Sequence, residues 1–234
     1  MKRIVYFALF PCLLLGVTPS VHAADNDQAG IAIHIAPVVT KNICSTAPAI
    51  TAGTVQAFAP GANGDSYTAY IFVCNGSDST GVAGAEFGID YDGNPNIGVD
   101  VDGWTLCGDL EFPNVNWPNA NTGTIITWNP SSNCQNTPSE PFVPQTVIAL
   151  LGAFNVTAHS PDAMMVIPRP ISGFAKVADC SGSEDDINRQ AQACDPLQLG
   201  IASFGNSNYF NPCGLATMVE PTTWGGIKRT VLDN

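Results

Sequence analysis

The stretch Asp90-Tyr-Asp-Gly-Asn-Pro-Asn-Ile-Gly-Val-Asp-Val-Asp-Gly103 is the best candidate for a metal loop in the chain. Asp90, Asp92, Asn94 and Asn96 alternate, and Asp100 and Asp102 repeat that spacing. Carboxylates and amide oxygens grouped in a turn are what Ca²⁺ requires, so these six residues are the expected metal ligands and Ca²⁺ the one cofactor expected. The match to a helix-flanked calcium loop is poor. Its sixth position is Pro95 where glycine is needed, and its twelfth is Val101 where glutamate is needed. The competing reading is an Asp/Asn/Gly turn whose short side chains cap their own backbone.

Catalytic constellations are thinner. Glu86, Glu111 or Asp109 paired with Asp90 or Asp92 would supply the two carboxylates of a glycoside hydrolase, at separations of ~5 to 9 Å. No spacing in the sequence fixes such a pair, and no catalytic residue is assigned. His34 and His159 are the histidines that remain once the first 23 residues are set aside. Neither lies in a nucleophile elbow or a zinc-protease helix motif. Trp117, inside Asn114-Val-Asn-Trp-Pro-Asn-Ala-Asn121, is the tryptophan least explained by strand packing. Beside asparagines it is the expected ligand contact, stacking on a sugar ring, whereas Trp104 and Trp128 read as core.

These residues need a scaffold, and the chain's first segment says where that scaffold works. Lys2 and Arg3 precede the apolar run Ile4–Val17, and Val21-His-Ala23 offers a cleavage site. Residues 1–23 therefore read as a signal peptide, and 24–234 as a single secreted β domain with an irregular C-terminal tail. The expected location is secreted, periplasmic or cell-surface. No later run is long enough to span a bilayer. Removing the leader leaves six basic residues against 20 acidic ones, a formal charge of −14. Such a surface repels nucleic acid and anionic headgroups. The partners expected are glycans, other surface proteins or further copies of the chain.

In an exported chain the cysteines read as disulfides. Cys12 leaves with the leader, and seven remain. Cys180–Cys194 would close the polar loop between them, Cys107–Cys134 would close the Trp/Asn/Pro-rich segment, and Cys44–Cys74 would leave Cys213 odd.

Short runs of period-two alternation, separated by Gly/Pro/Asn/Asp turns, carry most of the chain. Ile31, Ile33 and Ile35 alternate with Ala32, His34 and Ala36 in a half-buried first strand. Tyr67–Cys74 is aromatic and β-branched on both faces, which predicts a central strand. Phe87, Ile89 and Tyr91 point inward, with Glu86 and Asp90 outward. Thr54–Phe58, Gly123–Trp128, Thr146–Thr157, Met164–Ile167, Gly173–Asp179 and an edge strand from Ile201 complete the set. The Pro- and Asn-rich segment 111–121 predicts no strand, and residues 184–193, with capping-box spacing, predict a short helix. The fold class is all-β: an antiparallel β-sandwich, immunoglobulin-like in general architecture, with long disulfide-tied loops.

The strings Gly81–Ile89 (GVAGAEFGI), Gly103–Cys107 (GWTLC) and Val219–Lys228 (VEPTTWGGIK) resemble segments of uncharacterised exported proteins of environmental bacteria, including their TTWGxIK-like tail. The resemblance implies bacterial export and brings no activity with it. The function these readings support is an exported, non-enzymatic module for adhesion, assembly or carbohydrate binding. The alternatives are a carboxylate-pair glycoside hydrolase and a structural subunit of a surface filament.

Overall fold

In the computed structural model the described residues are 25–141, 143, 145–188, 198–206 and 208–215. The leader, Cys194, the tail string from Val219, and residues 189–193 of the expected helix lie outside them.

Twelve strands form in chain order: β1 (Gly30–Ala36), β2 (Phe58–Ala59), β3 (Asp65–Gly76), β4 (Gly84–Asp90), β5 (Val99–Leu106), β6 (Leu110–Pro113), β7 (Thr122–Thr127), β8 (Val147–Ala158), β9 (Asp162–Ile167), β10 (Lys176–Ala178), β11 (Glu184–Asp186) and β12 (Ile201–Phe204). They make two sheets, a four-stranded one in the order β1-β3-β8-β5 and an eight-stranded one. In the larger sheet β4 is the hub. It pairs with β7 along one edge and with β10 and then β9 along the other, all antiparallel. β6 extends the sheet beyond β7, and β11 extends it beyond β10. β12 pairs with β9, and β2 joins β12 as the parallel exception. The result is the expected antiparallel sandwich, immunoglobulin-like in its general architecture.

Side-chain alternation explains the stacking. Ile31, Ile33 and Ile35 of β1 meet Ala69, Ile71 and Val73 of β3, and Phe87 and Ile89 of β4, in one core between the sheets. β1 was expected to be half-buried, yet both its faces are covered. Ala32 joins Tyr70, Phe72, Cys74 and Ala153 in a second apolar cluster on the outer side of the smaller sheet, closed by Ile43 and Ile50. Those two residues belong to the long connection from β1 to β2, which folds back as a strap. Val39 N–H donates to Thr68 Oγ1 and Ile35 N–H to the Gln56 carbonyl, fastening the strap at both ends.

Four local expectations change. Thr54 ends a 3-10 turn (Ala52–Thr54), and the strand begins only at Phe58. Leu110–Pro113 is a strand in spite of its proline, because Pro113 sits at the strand's end, where a missing donor is tolerated. Glu184–Asp186 pairs with Lys176–Ala178, so the expected helix does not start there. Its would-be cap, Ser183, instead donates its N–H to Asp179 Oδ1. β12 is internal to its sheet, not an edge, since β2 covers its far side.

The three disulfides of the described residues are Cys44–Cys107, Cys74–Cys213 and Cys134–Cys180. This corrects all three expected pairings, Cys180–Cys194, Cys107–Cys134 and Cys44–Cys74, and Cys213 is not the odd cysteine. Sequence proximity was the wrong guide. Cys44 lies on the strap and Cys107 at the end of β5. Cys74 lies in the buried run of β3, and Cys213 is in the C-terminal 3-10 turn packed against that same face.

His34 is 8% exposed, and its Nδ1 accepts the Gln56 N–H at 3.0 Å. Burial holds its pKa below the usual 6.5. The folded state thus keeps His34 neutral, while the unfolded chain takes up a proton below that value. Its contribution is fully present above pH 6.5 and shrinks as pH falls. Denaturant unfolding between pH 7.5 and 5 should show stability falling toward acid, with a shallower slope in His34→Gln. Equal slopes would remove His34 from the account.

Candidate functional face

The Asp90–Gly103 loop divides its carboxylates among separate tasks. Asp92 Oδ1 accepts from Asn94 N–H and Nδ2. Asp100 Oδ2 accepts from Asn96 N–H and lies 3.2 Å from His159 Nε2. Asp102 Oδ2 accepts from Thr157 Oγ1. Asp162, which sequence reasoning had not singled out, accepts from the N–H groups of both Asp92 and Val99 and closes the base of the loop. Gly98 is required there: its φ is +62°, and a Cβ would sit 2.6 Å from Asp92 Cβ. Among the described residues no three His, Cys, Asp or Glu side chains gather as metal ligands. Of the six expected calcium ligands, Asp92 and Asp100 each have one oxygen engaged by a backbone amide and Asp102 has one engaged by a hydroxyl.

The carboxylate pairs separate as well. Glu86 pairs with Ile125 across β4 and β7, while Glu111 pairs with Ile126 across β6 and β7. Neighbouring residues of a strand face opposite ways, so Glu86 is on the outer face and Glu111 on the inner one. There Glu111 accepts from Trp104 Nε1 and Thr124 Oγ1. Asp90 shares the outer face with Glu86, four residues of strand rise and about 13 Å of backbone away, and Glu86 Oε1 is engaged by Arg169 and Ser172. Asp109 is occupied by Asn129 N–H and Asn133 Nδ2.

Trp117 is partly buried. Its ring stands edge-on to Phe87, Trp104 and Phe154, with centroids 5.8, 5.3 and 5.7 Å away, and it packs against the main core. The peptide bond to Pro118 is cis. The indole expected to stack on a sugar is partly buried, with its ring turned toward Phe87 of β4, Trp104 of β5 and Phe154 of β8. Asn75-Gly-Ser77 has the pattern of a glycosylation acceptor, and in the folded chain Asn75 is only 5% exposed.

What the strand pairing does assemble is the outer face of the large sheet. Its register sets Asp186, Lys176, Glu86, Ile125 and Phe112 side by side across β11, β10, β4, β7 and β6. One step along lie Glu184, Ala178, Gly84, Thr127 and Leu110. The small Gly84 and Ala178 leave a shallow groove between Thr127 on one side and Lys176 and Glu184 on the other. The turn 169–174 folds over the same surface. Arg169 Nη1 and Ser172 Oγ both donate to Glu86 Oε1, at 3.3 and 2.7 Å, and Arg169 Nη2 donates to the Phe112 carbonyl. Lys176 Nζ pairs with Glu184 Oε2 at 2.9 Å and lies 5.0 Å from the centre of the Phe174 ring. That contact with Glu184 raises the Lys176 pKa.

Around this pinned charge cluster stand exposed apolar side chains: Leu110 (51%), Phe112 (50%), Ile171 (75%) and Phe174 (43%). Single exposed apolar residues are ordinary, whereas here four stand on one face around fixed charges. Sequence reasoning missed Phe112 because its segment read as a loop. It had a signal in Arg169 and Lys176, which end a long span without cations and flank Phe174.

No protein-family model matches the chain. No curated protein matches it either. Among solved structures it is similar to a cohesin module from a family 33 glycoside hydrolase of Clostridium perfringens, at 12% identity and a TM-score of 0.40. That match covers 75% of this chain and 96% of the other.

Proposed function

We propose that the chain is an exported, non-enzymatic module that makes adhesive or assembly contacts at the cell surface, through the outer face of its larger sheet. The observation that carries this reading is the grouping of Phe112, Phe174, Ile171 and Leu110 around the Glu86–Arg169 pair. Three buried or half-buried disulfides support an oxidising destination, as does the leader-like segment 1–23. The acidic surface supports a partner that is neither nucleic acid nor anionic lipid. Trp117 is partly buried with its ring engaged by Phe87, Trp104 and Phe154, and the exposed rings are Phe112 and Phe174, so carbohydrate binding ranks below a protein contact.

The test is retention of labelled mature protein on intact producing cells. Wild type should be retained, and Phe112→Glu/Phe174→Glu should lose at least tenfold in retention while unfolding at nearly the wild-type temperature. Equal retention of the two proteins would refute the assignment of this face.

A further inference from the structure

We infer that the outer face around Glu86 binds a second copy of this chain in a two-fold, face-to-face contact. This rests on the reading of that face as a contact surface and adds the occupant.

Charge argues for it first. Two copies at −14 repel each other at long range. The described cations are Lys41, Arg169 and Lys176, and two of these three stand on this face. Elsewhere the described surface is dominated by acids, such as Asp65, Asp78, Asp100 and Asp102. Among the described residues, two copies therefore meet with less repulsion through this face, where Arg169 and Lys176 offset Glu86, Glu184 and Asp186, than through the acid-only regions.

The sign pattern argues next. A two-fold contact needs a self-complementary surface, in which residue i of one copy meets residue j of the other and the reverse. Lys176 sits between Glu86 and Asp186 in one row, with Glu184 bonded to its ammonium. Turning one copy by half a revolution can set each Lys176 against the Glu184 of the other copy. Phe174, 5.0 Å from each Lys176 ammonium, then supplies apolar contact beside the pair.

Size sets the strength. Five strands span about 19 Å between the outer two, a face at or below the low end of specific interfaces, under roughly 1,200 Å² in total. The association is accordingly weak, with a Kd on the order of 0.1 mM.

Sedimentation equilibrium of the disulfide-intact mature chain between about 0.01 and 1 mM tests this. The mass should rise toward twice that of the monomer. Lys176→Glu and Glu184→Lys should each weaken self-association at least tenfold, while an equimolar mixture of the two variants should associate. Thermal unfolding of each variant near the wild-type temperature shows that it is folded. A monomer mass throughout the range would overturn the inference, as would association that neither reversal affects or a mixture no better than its parts. If the chain is monomeric yet retention on cells still depends on Phe112 and Phe174, the second-copy occupant fails and the contact face stands.

Discussion

Replacing Trp117 by alanine should lower the unfolding free energy by about 3 kcal/mol, the low end for deleting a large aromatic from a core. The ring makes edge contacts with Phe87, Trp104 and Phe154, and aromatic pairs contribute about 0.5–1.5 kcal/mol each beyond burial. Two features keep the loss from being larger. The indole is only partly buried, and its Nε1–H is shielded from solvent without a hydrogen-bond partner, a cost the alanine variant escapes. Trp117→Phe keeps the edge contacts and removes the unpartnered donor, so it should stay within about 1 kcal/mol of wild type. In a domain of this size, 3 kcal/mol corresponds to a Tm lower by roughly 6–12 °C. Urea unfolding of both variants gives the comparison. If Trp117→Ala left the midpoint unchanged but abolished binding to a sugar, the indole would be a ligand contact after all.

The second large effect belongs to Cys74–Cys213. The bridge joins residues separated by 139 positions, and both sulfurs are fully buried in the cluster beneath the strap. In the chain-entropy model a loop of that length is worth about 5 kcal/mol. Cys134–Cys180 lies wholly within the loop and shortens its effective length, so the double substitution Cys74→Ala/Cys213→Ala should cost about 4 kcal/mol. It should also free the C-terminal 3-10 turn from β1 and β3. Denaturant unfolding measures the cost, and peptide mapping without reductant checks the connectivity. Recovery of Cys44–Cys74 or Cys107–Cys134 peptides would contradict the chain path given above.

These residues also show where the sequence was legible. Alternation placed Ile31, Ile33, Ile35, Phe87 and Ile89 on the correct faces, because burial against a single core imposes period two on each strand by itself. Tyr67–Cys74 was apolar on both faces and is central in its sheet. The disulfides were illegible because they are set by which strands become neighbours, and Cys74 meets Cys213 only once β3 and the C-terminal turn pack together. The row across the outer face was illegible for the same reason. Phe112, Glu86 and Lys176 are far apart in sequence and share a row only through the register of four strands. Trp117 misled in a different way, since a Pro/Asn-rich loop reads as exposed while nothing local reveals that its one large ring turns inward. The acidic loop was read in two ways, and each reading uses the same atoms. The structure places Asp92 and Asp100 on backbone amides.

Hydrogen–deuterium exchange of the mature chain, free and bound to producing cells, tests most directly whether the outer face of the large sheet is the working surface. The account predicts slowed exchange in β4, β6, β7, β10 and the turn 169–174, with little change elsewhere. Protection confined to the Asp90–Gly103 loop, or to the strap over the smaller sheet, would contradict it.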